Sequence, residues 1–325
     1  MALAFVTGGS GFIGGRLIER LRAEGLEVRG LARSDPSAEA VAARGAEPVR
    51  GDLGDVRAMR EGARDADFFF HAAAKVEDWG PREDFERINV QGTRDALDAA
   101  ADAGVRRFVH VGTEAALLAG QPLENANELT PLRPNSPALY SATKAKAEQA
   151  VRDAEREGFE TVVIRPRFVW GRGDTSLLPT MVEIVESGRW RWIGGGHHRT
   201  STTHVDNTVE GLWLGATRAR PGAVYFVTDG EPVVFRDFVT RLLRTQGVEP
   251  PDKDLPLGVA KMAAAVAERA TRKGHRPPLT RFAVWASALE CTIDISRARS
   301  ELGYEPVRSI EDGLAELEAA ARASG

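Results

Sequence analysis

The stretch YSATK at 140–144 sets a tyrosine four residues ahead of a lysine in a segment that reads as the start of a helix. Positions four apart share one face of a helix. A phenol has an unperturbed pKa near 10; an adjacent ammonium favours the phenolate, more so in a desolvated cleft. Tyr140 and Lys144 are therefore candidates for general acid–base work close to neutral pH. A surface tyrosine beside a solvated lysine has the same spacing, so the pair has to be read with its surroundings. Thr113, in VHVGTEA at 109–115, closes a strand-like run and offers a hydroxyl that can hold a substrate oxygen beside the phenol. Asn89, in INVQGT at 88–93, lies inside a long helical pattern. It either faces the sheet and anchors a water or is a plain surface amide.

A second constellation sits at the N-terminus. VTGGSGFIGGRL places Gly8, Gly11 and Gly14 directly after a strand-like run, with a helix opening near Phe12. Such a turn brings backbone close to a pyrophosphate and aims the helix N-terminus at its charge. Gly8, Gly11, Phe12, Ile13 and Gly14 are read as contacts to a dinucleotide. An acid at the end of the second strand would hydrogen-bond the adenosine ribose. RGLARSD has Ala32 and Arg33 there instead, with Asp35 three positions late but still able to reach the ribose. Arg33 suits a 2′-phosphate, which favours NADP(H) over NAD(H). In GDL at 51–53, Asp52 can accept from the adenine amino group with Leu53 alongside, or simply begin a helix. In HAAA at 71–74, the small Ala72 and Ala73 let a cofactor lie against the backbone; His71 beside them reads as structural more readily than as a base.

These groups need a scaffold that gathers strand ends. Strand-like runs at 2–7, 26–31, 46–50, 66–70, 106–111 and 160–165 alternate with helical patterns at 12–24, 37–44, 55–63, 82–103 and 139–157. Short apolar strands separated by helices predict a parallel sheet covered on both faces, in a doubly wound α/β order of Rossmann type. The expected division is a dinucleotide-binding domain over 1–165 and a smaller, irregular substrate-binding region over 166–325. Parts of that region thread back onto the sheet. The final stretch reads as two helices joined by a Gly-Tyr-x-Pro turn.

With 325 residues, 28% charged and 42% apolar, the chain can bury a large core. A net charge of −4 gives no reason to expect a nucleic-acid partner. Cys291 is the single cysteine, so no internal disulfide forms and a reducing cytoplasm is the expected setting. The opening MALAFVTGGSGFIGG lacks a basic leader and reads as a strand rather than a signal peptide. No apolar run approaches the roughly 20 residues that cross a bilayer.

As a set, G8-x-x-G11-x-x-G14, D52-L53, H71-A-A-A74, Asn89, the strand ending at Thr113, Y140-x-x-x-K144 and IRPRFVWG at 164–171 resemble the extended short-chain dehydrogenase/reductase superfamily, also called the NAD-dependent epimerase/dehydratase superfamily. THVDN at 203–207 and the closing ARSELGYEP look most like its 3β-hydroxysteroid dehydrogenase group. The resemblance implies Thr113, Tyr140 and Lys144 as the catalytic set and Pro166 beside the nicotinamide. It also implies interconversion of a secondary alcohol and a ketone by hydride transfer, with Tyr140 as acid or base and Lys144 on the ribose. A homodimer through the helices at 82–103 and 139–157 is implied as well. Gly112 departs from the small or hydroxyl residue usual before the catalytic Ser/Thr, which leaves one fewer oxygen donor.

Candidates for an apolar substrate pocket are Val76, Trp79, Glu114, Phe168, Trp170, Met181 and Trp192, with Leu177, Leu178 and Trp190 nearby in sequence. They suit a bulky apolar alcohol or ketone, 3β-hydroxysteroid or 3-oxoacyl-like. Two alternatives remain. A sugar-nucleotide epimerase holding NAD would need Arg167, Arg172 or Arg199 as a diphosphate clamp. A non-catalytic NADP-binding regulator would tend to have lost Tyr140 or Lys144. The small-residue helix at 255–273, ending in Arg272 and Lys273, either touches a membrane surface or, as favoured here, caps the pocket.

Overall fold

A computed structural model describes residues 2–271 and 275–324, apart from the side chain of Ser324. The first half forms as its pattern dictates. β1 (Leu3–Thr7), β2 (Glu27–Ala32), β3 (Glu47–Arg50), β4 (Phe68–His71) and β5 (Arg107–Val111) alternate with α1 (Phe12–Ala23), α2 (Asp35–Ala42) and α3 (Val56–Gly62). The long helical run is broken into α4 (Arg82–Phe85), a π-helical segment (Glu86–Gln91) and α5 (Gly92–Asp102). A short strand β6 (Leu123–Ala126), α6 (Leu139–Asp153) and β7 (Glu160–Pro166) follow.

The main sheet has seven strands, all parallel: Ala223–Val227, β7, β5, β4, β1, β2, β3. Its order steps outward from β1 in both directions, so the carboxyl ends of β1, β4 and β5 open onto one crevice, where open α/β sheets bind ligands. Both faces are dry. Val6, Phe70, Val109 and Ile164 belong to one core cluster, and Phe5, Phe69, Phe108 and Val163 to the other. At about 25 cal/mol per Å² of apolar surface removed from water, these near-fully buried runs hold the site rigid.

The last strand of the sheet comes from the half of the chain that reads as irregular. α7 (Leu177–Glu186) precedes α8 (Val205–Arg218), which covers the sheet and leads into Ala223–Val227, paired with β7 from Ala223↔Val162 to Val227↔Pro166. α9 (Phe235–Arg244), α10 (Leu257–Ala270) and α11 (Arg281–Ala288) build the region above the crevice. α12 (Ser296–Leu302) ends at Gly303, whose φ of 66° suits glycine, and α13 (Ile310–Ser324) closes the chain. Tyr304 in that turn is buried and donates its hydroxyl to the Thr228 carbonyl at 2.8 Å. Among the described residues no helix is long and apolar enough to cross a membrane.

Candidate active site

The glycine turn closes tightly. Gly8 has a φ of 74°, and a Cβ there would lie 2.7 Å from the Ala73 amide nitrogen. A Cβ on Gly14 would lie 2.2 Å from the Gly8 carbonyl oxygen. Gly11 caps α1 without a side-chain bond, so the first amides of the helix stay available for an anion. Phe12 and Ile13 begin α1. Backbone, not side chain, lines this cradle, and it fits a dinucleotide pyrophosphate.

Arg33 is exposed at the end of β2; Asp35 pairs with Arg50 at 3.0 Å. Asp52 accepts from the Gly54 amide at 2.8 Å, fixing the turn after β3, and Leu53 packs beside Gly92.

Two expected cofactor contacts are engaged elsewhere. His71 is buried, with Nδ1 bonded to Thr7 Oγ1 at 2.9 Å and Nε2 to Thr93 Oγ1 at 3.1 Å. Burial, helped by the nearby Lys144 ammonium, pushes its pKa down to about 3. Its ring is a neutral strut between β1, β4 and α5, and neither ring nitrogen is left for a ligand. Asn89 sits in the π-helical segment. Its Oδ1 accepts from the Lys75 amide at 2.7 Å, and its Nδ2 donates to the Lys75 carbonyl at 3.0 Å and to Thr143 Oγ1 at 3.1 Å. It clamps the loop after β4 to α6 rather than anchoring a water. The π-helical turn, which re-aims side chains in a long helix, sets it there.

α6 brings Tyr140 and Lys144 to the carboxyl end of β5. Thr113 follows β5 and caps the short 3₁₀ turn Glu114–Leu117, accepting from the Ala115 amide at 3.1 Å. Its hydroxyl donates to Glu114 Oε2 at 2.9 Å. The nearby Thr113 hydroxyl acts on the Tyr140 phenol in the direction that favours the phenolate. Gly112 is required by packing: a Cβ there would lie 2.8 Å from Val163 Cγ1.

Lys144 departs from expectation. Its ammonium donates to the Val111 carbonyl at 2.8 Å and lies 3.3 Å from His110 Nε2. Burial lowers its pKa to about 8, with the Glu148 carboxylate working the other way. His110, beside His71 in the register of β4 and β5, is buried and neutral. The phenol is not made acidic. Burial and the Glu114 carboxylate push Tyr140 above its ordinary value, with the Thr113 hydrogen bond opposing them.

Beside Leu139 and Phe282 lies a cavity of about 240 Å³, also lined by Asp78, Trp79, Arg82, Pro137, Ala138, Glu268, Arg269 and Arg281. Phe282 of α11 meets the Tyr140 ring edge-on, with centroids 5.5 Å apart. Trp79 donates to the His275 carbonyl at 2.8 Å, and Asp78 accepts from Arg276 and Thr280, so the loop after β4 is bolted to the segment leading into α11.

Val76 is 58% exposed. Phe168, with a φ of 46°, packs edge-on against Phe235 and Phe238. Trp170, Met181 and Trp192 lie with Leu178 and Trp190 in a packed cluster against α9. The Trp170 and Trp192 indoles donate to Asp229 and to the Pro251 carbonyl. They are core residues because α7 and α9 close over them. Pro166 is buried at the end of β7. α10 buries Ala260 and Ala264 and exposes Val259, Met262 and Val266; Arg272 and Lys273 lie outside the described residues.

Sequence reasoning missed Phe282, His110 and the pairing of Arg167 with Glu114. His110 had a signal, since β4 ends in His71 and β5 carries His110 one residue before its end. Phe282 had none, because only the fold brings it to Tyr140.

A seven-stranded parallel sheet, a glycine cradle after β1 and a Thr–Tyr–Lys group after β5 define an extended short-chain dehydrogenase/reductase. The sequence model of the 3-beta hydroxysteroid dehydrogenase/isomerase family matches residues 5–257, and the chain belongs to that family. It is 44% identical over 313 residues to the 4-hydroxy-2-methyl-3-oxo-4-farnesyl-3,4-dihydroquinoline-1-oxide ketoreductase of Stigmatella aurantiaca, covering 95% of this chain and 94% of that one. It is 35% identical over 330 residues to the 2-alkyl-3-oxoalkanoate reductase of Stenotrophomonas maltophilia (strain K279a), covering 98% and 99%. Among solved structures it is similar to a double mutant of DesIV, the dTDP-glucose 4,6-dehydratase of Streptomyces venezuelae, with NAD and DAU bound. The TM-score is 0.75 and the identity 27%, covering 99% of this chain and 97% of that one. The protein is therefore an oxidoreductase of the short-chain dehydrogenase type that uses a nicotinamide cofactor.

Proposed function

We propose that this enzyme is a ketoreductase that reduces a ketone on a bulky apolar substrate, preferring NADPH. The observation that carries this reading is the Tyr140 phenol at the carboxyl end of β5, beside Thr113 and edge-on to Phe282. A protonated phenol can give its proton to a carbonyl oxygen as hydride reaches the carbon. Three further features support it: both relatives described above are named as reductases of oxo compounds, Trp79 and Phe282 give the cavity apolar walls, and Arg33 stands free where a 2′-phosphate would lie.

A nicotinamide cofactor held by the glycine cradle and Lys144 would supply hydride to the carbonyl carbon. Tyr140 gives its proton to the carbonyl oxygen, Lys144 holds the ribose hydroxyls, and Thr113 fixes the position of the phenol. Phe282 and the bolted loop at 75–80 keep water from the reacting centre. A diphosphate clamp is not supported. The buried Arg167 is held by Glu114, Thr200 and the Ala286 carbonyl, and Arg199 by the Pro232 carbonyl.

The test is consumption of NADPH and NADH against a panel of bulky ketones and 3-oxoacids, with Tyr140→Phe as control. The variant keeps its affinity for NADPH and loses turnover by about 10² or more. Normal turnover in Tyr140→Phe refutes the assignment.

A further inference from the structure

α10 presents two unlike faces. Inward, Ala260 and Ala264 are fully buried and pack with Val284 and Ala288 of α11, with Leu257 and Leu279 beside them. Outward, Val259, Met262 and Val266 fall at i, i+3 and i+7 and so share one side of the helix; they are 49%, 65% and 58% exposed. The exposed Ala263 and Ala270 extend that stripe. Six large apolar side chains stand exposed among the described residues, and three of them are these. Single apolar residues on a surface need no explanation, but a contiguous stripe does.

Charge says what the stripe fits. The chain as a whole carries −4, yet the exposed charges of α10 are the cations Lys261 and Arg269. Glu268, the one acid of the helix, is turned inward: its Oε1 accepts from the Arg281 amide at 2.7 Å and its Oε2 from Arg281 Nε at 2.5 Å. Just before the helix, Asp252 and Asp254 are paired with Arg236. A second copy of the chain is a poor occupant. Fourteen residues of helix span about 20 Å, and one narrow stripe of that length falls far short of the roughly 800 Å² per partner of a standard interface.

We propose that α10 lies on an anionic lipid surface, with its apolar stripe at the level of the acyl chains and Lys261 and Arg269 reaching to the headgroups. The same helix supplies Glu268 and Arg269 to the wall of the cavity beside Phe282. Docking therefore sets that cavity at the membrane, and an apolar ketone passes into it without crossing water. The delivery of substrate rests on the ketoreductase reading; the docking does not.

The test is flotation of the nucleotide-free protein with vesicles of phosphatidylcholine alone and of phosphatidylcholine and phosphatidylglycerol in equal parts. Wild type is expected to bind the anionic vesicles at least about tenfold more tightly than the neutral ones, and to come off as salt is raised. Met262→Glu with Val266→Glu, both on the outward side, is expected to weaken that binding at least about tenfold while keeping Tm and kcat/KM for a water-soluble ketone. Met262→Ser with Val266→Ser adds no charge, weakens binding to a smaller degree, and stands in should the glutamates upset folding. No flotation with anionic vesicles, equal binding to both kinds, or binding unmoved in a folded variant overturns the proposal. So does self-association of the wild type that the variants abolish without any vesicle binding, which gives the face to a second copy. If neither variant folds, the wild-type comparison of the two vesicles decides. All these readings are made without substrate, so the ketoreductase reading stands or falls separately, by turnover in Tyr140→Phe.

Discussion

Replacing Lys144 by methionine should make the protein more stable at neutral pH while abolishing its chemistry. The ammonium is 4% exposed, and burial lowers its pKa from 10.5 to about 8. At about 1.4 kcal/mol per tenfold, keeping that charge in the folded state costs about 3 kcal/mol. Methionine fills a similar volume without the charge but leaves the Val111 carbonyl and His110 Nε2 without their donor, which costs about 1–2 kcal/mol. The net gain is about 1–2 kcal/mol, or about 3 °C in Tm for a chain of this size. The pH dependence is diagnostic. Below pH 8 the lysine is charged both folded and unfolded, and the full penalty stands. Between about 8 and 10.5 only the unfolded chain holds the proton, so wild-type stability rises with pH relative to the variant. Above 10.5 both states are neutral and the penalty is gone. The assay is thermal unfolding of nucleotide-free wild type and Lys144→Met from pH 7 to 10.5, reading the difference in Tm so that general alkaline effects cancel. The gap should be largest at pH 7, shrink through 8 to 10.5, and there reverse sign as the orphaned acceptors remain. A gap that stays constant, or a variant less stable at pH 7, refutes the reasoning.

Three other outcomes follow from the geometry. Gly14→Ala puts a methyl group 2.2 Å from the Gly8 carbonyl; the turn must open, and NADPH affinity measured by nucleotide fluorescence should fall at least about tenfold. Glu148→Ala strands the fully buried Arg165, now held at 2.8 Å from its Nε; a loss of about 3–5 kcal/mol is expected in denaturant unfolding, most of it recovered by adding Arg165→Met. Arg33→Ala should raise KM for NADPH by about tenfold to a hundredfold and leave KM for NADH unchanged; equal effects on both would remove Arg33 from the 2′-phosphate.

The alternation of apolar strands with helices placed six of the seven sheet strands within about two residues, because each is a short run flanked by its own turn and all but the edge strand β3 are largely buried. The seventh, Ala223–Val227, carries the same apolar signature in AVYFV. It was hidden because its crossover from β7 runs through the whole segment holding α7 and α8, far longer than the crossovers of the first half. The π-helical turn at Glu86–Gln91 left no mark either, since one extra residue in a helical repeat changes the apolar spacing too little to see.

For the candidate site, the residue types were legible in the sequence but their electrostatics were not. Four residues of helical spacing do bring Tyr140 and Lys144 to one face, but a face says nothing about which acceptors wait below it. The Val111 carbonyl at the open end of β5 and the neutral His110 take the ammonium, and the carboxylate of Glu114 stands nearer in effect to the phenol than the amine does. Burial sets the sign of the tyrosine shift, and the Glu114 carboxylate adds to it, paired with an Arg167 that Thr200 and the Ala286 carbonyl hold from distant parts of the chain. The three arginines weighed for a diphosphate clamp likewise look alike in sequence, yet burial separates Arg167 from the exposed Arg172 and Arg199.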